Sequence, residues 1–266
     1  MLDMSLVRPV IAEAYAFAAR AARPTLQPLL VFAAVTALAA AFPRIGLGGL
    51  WIVPAFLAIF AAGCAYSAAL YRQTFPGTAP LRKLTAALMR ANAAVYLAFF
   101  FIGFFVVFGL SILAGVFLSD ATGLDQEAAQ ADPDAIRRAL GEMAWTPYGF
   151  ALWTACAAGA GALAFLALRL FLFGAATAAA GEAKVFETWP RTRGRALTLA
   201  LIAAATHVAP FAVAMGLAWG ASAIAEGLSA PIVAPAAAGF VSVLAGAVFL
   251  LPGHGAAAAL HRRLME

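Results

Sequence analysis

Long apolar runs dominate the sequence and restrict what it can fold into. Several runs are about 20 residues long, and only short polar segments separate them. Because an α-helix rises 1.5 Å per residue, a run of this length crosses the hydrocarbon core of a bilayer, which is about 30 Å thick. Hydrophobic residues make up 65% of the chain and charged residues only 11%, whereas soluble domains carry about 25% charged residues. The sequence therefore predicts an all-α polytopic membrane protein without a large aqueous domain.

Six apolar runs predict six transmembrane helices in one membrane domain that covers residues 1–266. The spans lie at about 26–42, 50–71, 95–118, 148–172, 196–218 and 231–251. The apolar pattern of the fourth run continues to Ala180, which is longer than one bilayer thickness. We therefore expect this helix to tilt or to continue beyond the membrane.

Two segments outside the apolar cores of these runs have the pattern of amphipathic helices that lie on the membrane surface. In residues 5–22, Leu6, Val10 and Phe17 can face lipid while the charged side chains face water. In residues 72–92, leucines recur at helical spacing and basic residues lie off that stripe. The sequence predicts an interfacial helix in each segment, separate from the spans.

The segment between the third and fourth runs, residues 119–145, is the longest polar loop. It contains "DPDAIRRALGEM", which predicts a short helix with Asp132 as its N-cap and Pro133 at its first position. The loop is rich in acidic residues, but their spacing does not fit an EF-hand. We expect a solvated acidic loop without a metal.

The distribution of positive charge predicts the orientation of the chain. With six spans, both termini lie on the same side of the membrane. Of the 17 Lys and Arg residues, only Arg44, Arg137 and Arg138 fall on the opposite side. Cytoplasmic segments carry an excess of Lys and Arg, so both termini are predicted to be cytoplasmic. The alanine-rich composition is typical of a GC-rich bacterial genome and hence favours a bacterial inner membrane.

Few residues in the sequence can carry chemistry. There are only three histidines, and no H-E-x-x-H, G-x-S-x-G, P-loop or C-x-x-C motif occurs. A metal site needs three or four converging ligands, which these segments do not offer. We therefore expect no metal, no cofactor, no catalytic residue and no enzyme activity.

His207 is the strongest candidate for a polar site inside the membrane. It lies near the middle of the fifth predicted span, and Thr206, Ser242 and Thr36 are predicted at a similar depth. Ionisable residues there often mark a substrate path, and Pro210 frees a backbone carbonyl nearby. A transporter site is one interpretation, and an intramembrane enzyme that uses Ser242 is another. A third is a neutral histidine bonded to a neighbouring helix.

The segment "FETWPRTRGRALT" at 186–198 concentrates positive charge between the fourth and fifth spans. Trp189 suits the membrane interface, and each arginine near an anionic leaflet contributes about 1 kcal/mol of attraction. Together with the preceding basic segment it predicts a surface for lipid headgroups, formed by Trp189, Arg191, Arg193, Arg195, Arg82, Lys83 and Arg90. The alternative is that these charges only set the topology.

The eight residues "TWPRTRGR" (188–195) resemble a pattern, S-W-x-x-T-R-G-R, of bacterial six-helix membrane proteins. These are the membrane domain found with some glycerophosphoryl diester phosphodiesterases and its stand-alone relatives. The resemblance implies a six-helix membrane fold with a basic hinge. It implies no phosphodiesterase activity, because the soluble catalytic barrel of those enzymes is absent from this sequence. Pro190 departs from the pattern and predicts a break in the helix.

Together these observations predict a non-enzymatic integral membrane protein that binds lipids or a partner and supports envelope homeostasis. The expected partners are anionic lipids of the inner leaflet and, as a second possibility, another membrane protein; no nucleic acid is expected. The alternative is a transporter or permease for a lipidic or small amphipathic substrate, with its site around His207.

Overall fold

The protein is an all-α membrane protein, as predicted. The computed structural model describes residues 3–45, 48–123, 132–227 and 232–265, and these ranges contain helices but no strand. Five helical segments are long and apolar enough to cross a membrane: Gly49–Arg72, Leu81–Thr122, Pro147–Ala180, Ala196–Ala225 and Val233–Leu264. A sixth span exists only if two helices bent by 83° count as one, so the number six stays a prediction.

The helices follow the predicted spans closely, with several differences at their ends. In chain order the described α-helices are α1 (Met4–Ala21), α2 (Leu26–Ala41), α3 (Ile52–Arg72), α4 (Leu81–Thr122), α5 (Pro133–Met143), α6 (Pro147–Arg169), α7 (Phe173–Ala180), α8 (Ala196–Ala203), α9 (Ala209–Glu226) and α10 (Val233–Met265). The first residue of the sixth predicted span lies outside the described residues.

The chain folds into two compact units, and the larger consists of residues up to Ala94 and from Leu168 onward. Its buried side chains form three apolar clusters, and α10 contributes to all three. Leu260 packs with α1 and α8, Val243 with α2 and α3, and Ala258 with α3, α7 and the start of α4. α10 can serve three neighbours because its glycines and alanines allow close approach on several sides.

Helix α1 packs inside this unit, so the prediction that its apolar stripe faces lipid is wrong. Val10 is fully buried and packs with α8 and α10. Phe17 is only 7% exposed and packs with α2 and α3. Glu13 forms ion pairs with Arg262 and Arg263 at the end of α10. An apolar stripe shows that one face of a helix must be covered, and here the alanine-rich face of α10 covers it.

The segment at 72–92 is also not a separate surface helix. Its helical part belongs to α4, which runs unbroken for 42 residues from Leu81. Leu84 and Leu88 are buried in the larger unit. No proline or glycine separates the two predicted elements, so nothing in the sequence ends the helix between them. Beyond the end of the sixth predicted span, α10 likewise continues without a break to Met265.

The smaller unit covers Val95–Ala167 and contains the second part of α4, α5 and nearly all of α6. The predicted cap of α5 is confirmed, because the Asp132 carboxylate accepts a hydrogen bond of 2.9 Å from the Asp134 N–H. That bond is the main reason why the pKa of Asp132 lies below its ordinary value. Residues 124–131 of the predicted acidic loop lie outside the described residues.

The fifth predicted span is interrupted by a π-helical turn at Ala204–Val208. In this turn each N–H bonds to the carbonyl five residues earlier, as the Ala209 N–H does to Ala204. Pro210 has no N–H, so the Ala205 carbonyl lacks its backbone donor. The Tyr15 hydroxyl of α1 supplies one instead, at 2.8 Å. Pro210 thus explains the local geometry, and α1 compensates for it.

Candidate functional site: the basic hinge

The basic segment forms two consecutive 3₁₀ turns, Phe186–Thr188 and Pro190–Thr192. We call residues 181–195 the hinge, since they connect the end of α7 to the start of α8. Gly181 (φ +69°) and Gly194 (φ +76°) bound it with left-handed backbone that favours glycine. The break in the helix predicted at Pro190 is confirmed, because a separate 3₁₀ turn begins at this residue.

Two threonines of the family-like motif are buried and satisfy backbone groups. Thr188 donates to the Val185 carbonyl at 3.1 Å. The Thr192 hydroxyl donates to the Trp189 carbonyl at 3.1 Å and lies 3.5 Å from the carbonyl of Arg169. Buried carbonyls in an irregular segment need such donors. These threonines therefore fix the shape of the hinge and attach it to the end of α6.

Trp189 also attaches the hinge to α6. The guanidinium of Arg169 lies 4.9 Å from the centre of the Trp189 ring, and Arg169 is only 5% exposed. A cation over an indole face in a desolvated place is attracted by about 2 kcal/mol. Trp189 is half-buried, so one of its faces already has a partner inside the protein.

The three arginines of the motif are exposed. Neither Arg191 nor Arg193 forms an ion pair with another described residue. Arg195 lies close enough to Asp3 to contribute to the lowered pKa of that carboxyl group, although the hydrogen bond from Ser5 is the larger cause. The hinge therefore presents positive charge that the described protein leaves largely uncompensated.

Two of the three basic residues predicted to join this surface lie near the hinge. Lys83 and Arg90 of α4 act on Glu182, whose pKa is lowered first by its bond to Lys184 and then by these two charges. Arg82, the residue before Lys83, is exposed. The structure thus brings Lys83 and Arg90 near the hinge.

A cavity of about 210 Å³ opens between the hinge, α7 and the end of α10. Its lining residues are Ala176, Ala179, Ala180, Lys184, Glu187, Thr188, Arg191 and His261. Lys184 pairs with Glu187 at 2.7 Å and with Glu182 at 3.0 Å, and these bonds raise its pKa. Nothing in the sequence links His261 with the hinge, because the two are far apart along the chain and no motif contains both.

His207 lies within the π turn, with its ring packed on several sides. The Thr206 hydroxyl donates to the Ile202 carbonyl at 2.8 Å, so its oxygen is left to accept from Nδ1 of His207 at 3.1 Å. The Phe171 ring packs edge-on at 5.1 Å. On the Nε2 side lies Gly253 of α10, where an added Cβ would come within 2.6 Å of that nitrogen.

Thr36 and Ser242, predicted at the same depth as His207, lie elsewhere. Their hydroxyls donate to carbonyls in their own helices, those of Phe32 and Ala238. Thr36 lies at the level of Gly239, since a Cβ there would come within 3.1 Å of the Thr36 carbonyl. Gly239 and the glycine that contacts His207 are about 20 Å apart along α10 at 1.5 Å per residue. The structure therefore does not bring the four predicted polar residues together.

In the described parts of the chain, no three His, Cys, Asp or Glu side chains converge as metal ligands would. Comparisons with protein-family models, with curated proteins and with solved structures found no match to this chain.

Proposed function

We propose that this integral membrane protein binds anionic lipid headgroups at the hinge and serves membrane homeostasis without enzyme activity. The observation that carries the proposal concerns two arginines of the hinge, Arg191 and Arg193, which are exposed and form no ion pair with another described residue. The acids of the hinge, Glu182 and Glu187, already pair with Lys184. Phosphate is the natural partner of such arginines, because a guanidinium binds it through two parallel hydrogen bonds.

The hinge is suited to this role because it is held in shape before any ligand arrives. Thr188 and Thr192 satisfy its backbone, and Trp189 packs on Arg169. A preorganised site loses less conformational freedom on binding than a flexible loop does. The resemblance of the hinge motif to a membrane domain that accompanies glycerophosphoryl diester phosphodiesterases is consistent with a lipid role. By the positive-inside rule, the leaflet would be the cytoplasmic one.

Lipid retention tests this proposal. Changing Arg191, Arg193 and Arg195 to Gln should reduce retention of phosphatidylglycerol by the full-length protein, because each cation contributes about 1 kcal/mol, or roughly fivefold. Native mass spectrometry of the protein released from mixed micelles measures the bound lipid.

The matched control changes Arg137 and Arg138 of α5 to Gln. These arginines are exposed and already paired with Asp134 and Asp132, so lipid retention should stay at the wild-type level. Unchanged retention in the hinge variant would contradict the proposal, as would an equal loss in the control.

A transporter for a lipidic or small amphipathic substrate is the second candidate. The π turn that contains His207 favours it, because such turns occur frequently at functional sites. A transport path would also have to reach the ring, which Phe171 and Gly253 contact closely. Ser242, which an enzyme mechanism would need, donates its hydroxyl to its own helix far from His207.

A further inference from the structure

We infer that the cavity between the hinge, α7 and the end of α10 binds a phosphate monoester. The inference rests on the proposed function and deepens it, because it gives the hinge a preferred headgroup. The cavity collects polar groups from three elements: Lys184 and Arg191 from the two ends of the hinge, and His261 from α10.

His261 supplies the observation that points to a ligand. Its side chain is 93% buried, since the residue is only 7% exposed, yet its Nδ1 has no hydrogen-bond partner in the described protein. An unpartnered N–H in a buried place is costly, so the neutral ring places its proton on Nε2. The Phe75 ring packs edge-on against the imidazole at 5.9 Å and holds it in place. His261 lines the cavity, and under this inference Nε2–H is its donor to a ligand there.

Glu187 and Glu182 offset the charge of Lys184, so Arg191 is the cation of the cavity that favours an anion. Arg191 is exposed, forms no ion pair and lies near enough to His261 for the two to interact electrostatically. Glu187 and Glu182 hold Lys184 at the wall. Thr188 already donates its proton to the Val185 carbonyl and one oxygen of Glu187 accepts from Lys184, so Arg191 and His261 supply the donors that remain for a ligand.

The number of donors favours a monoester over a diester. A terminal phosphate group has three acceptor oxygens and carries nearly two negative charges, whereas a phosphodiester has two free oxygens and one charge. Arg191, through two parallel hydrogen bonds, and His261, through one, together can address three oxygens. The opposite wall consists of Ala176, Ala179 and Ala180, which leave room for the glycerol side of a headgroup. The same chemistry would accept a soluble phosphomonoester, so both sources must be tested.

The experiment measures binding by the full-length protein in nanodiscs of phosphatidylcholine. One sample contains phosphatidic acid, whose headgroup is a phosphate monoester, and a second contains phosphatidylglycerol, a diester. Glycerol 3-phosphate is added in solution as a competitor. We expect phosphatidic acid to be preferred at least tenfold, because one additional hydrogen bond to a charged group changes affinity by roughly 10- to 100-fold.

Three variants probe the cavity by different means. Arg191→Gln removes its free cation, His261→Gln removes its buried donor, and Ala180→Leu fills it without changing any charge. Each should abolish the preference for phosphatidic acid. The control Arg193→Gln removes an equal charge from a residue that does not line the cavity, so it should weaken both lipids alike and leave the preference intact.

The outcomes separate this inference from the proposed function. A preference that is lost in the cavity variants supports the inference, and competition by glycerol 3-phosphate then shows that soluble monoesters also enter. Equal binding of the two lipids, or an equal effect of Arg191→Gln and Arg193→Gln, overturns the inference while hinge-dependent phosphatidylglycerol binding can stand. If His261→Gln does not fold, Arg191→Gln and Ala180→Leu decide alone.

Discussion

The crossing of α1 and α10 at Gly255 gives the sharpest test of the fold. A Cβ at this position would lie 2.8 Å from Cδ1 of Phe17 and 2.9 Å from the carbonyl oxygen of Ala14. The second contact is with backbone, so it cannot be relieved by a side-chain rotation. Gly255→Ala should therefore push α1 away from α10, and overpacking of this kind costs about 1–3 kcal/mol.

A second glycine of the same helix provides the matched control. A Cβ at Gly246 would meet Cε1 of Phe249 at 3.6 Å, which is ordinary van der Waals contact. Both substitutions gain the same helix propensity, about 1 kcal/mol for alanine over glycine. The difference between the two variants is therefore the packing cost alone.

Thermal unfolding in detergent, followed by tryptophan fluorescence, measures this difference. At about 2–4 °C per kcal/mol, Gly255→Ala should unfold roughly 2–12 °C below Gly246→Ala. In a Phe17→Ala background Gly255→Ala should cost less than in the wild type, but it should still destabilise, since the Ala14 carbonyl remains in the way. Equal unfolding temperatures of the two single variants would refute the packing of α1 against α10.

Two further predictions concern charged groups of the larger unit. Glu13→Gln removes the half-buried ion pairs with Arg262 and Arg263. It should lower the free energy of unfolding by about 1 kcal/mol at low salt and by less at about 1 M salt, which screens the charges. A loss of stability that does not depend on salt would contradict this. Since Lys184 lowers the pKa of Glu182, that carboxylate stabilises the folded state above its ordinary pKa, and the contribution disappears as the pH falls through the lowered value. Melting curves between about pH 5 and pH 3 should show this loss, and Glu182→Gln should reduce it.

The apolar runs were sufficient to predict the all-α membrane fold, because no soluble architecture can cover so much apolar surface. They could not predict what each helix face contacts. In α1 the same stripe fits lipid or protein, and only the tertiary structure shows that Val10 and Phe17 are buried by neighbouring helices. The sequence pattern predicts two separate helices where α4 is continuous. A change from an amphipathic to an apolar pattern shows a change of surroundings, but it does not by itself end a helix.

Local chemistry was easier to predict than convergence. Asp132 caps α5, and Pro190 begins the second 3₁₀ turn of the hinge. Both effects are predictable because they depend only on adjacent residues. The grouping of His207 with Thr36 and Ser242 depended on depth along different helices, and the fold places His207 near Gly253, well away from the other two. Counting residues from the start of a span gives a depth only if the span begins where it is assumed to begin.

The roles within the hinge motif suggest where its selectivity must come from. Thr188, Thr192 and Trp189 are used for internal contacts, and Gly194 is needed for its backbone conformation. A motif of this kind fixes a shape and presents positive charge, which suffices to attract any anionic surface. Discrimination between headgroups requires donors at fixed positions inside a cavity, and the buried donor there comes from α10. If the inferred site binds a headgroup, its selectivity depends on a residue outside the motif, His261, which a search for the motif alone would not identify.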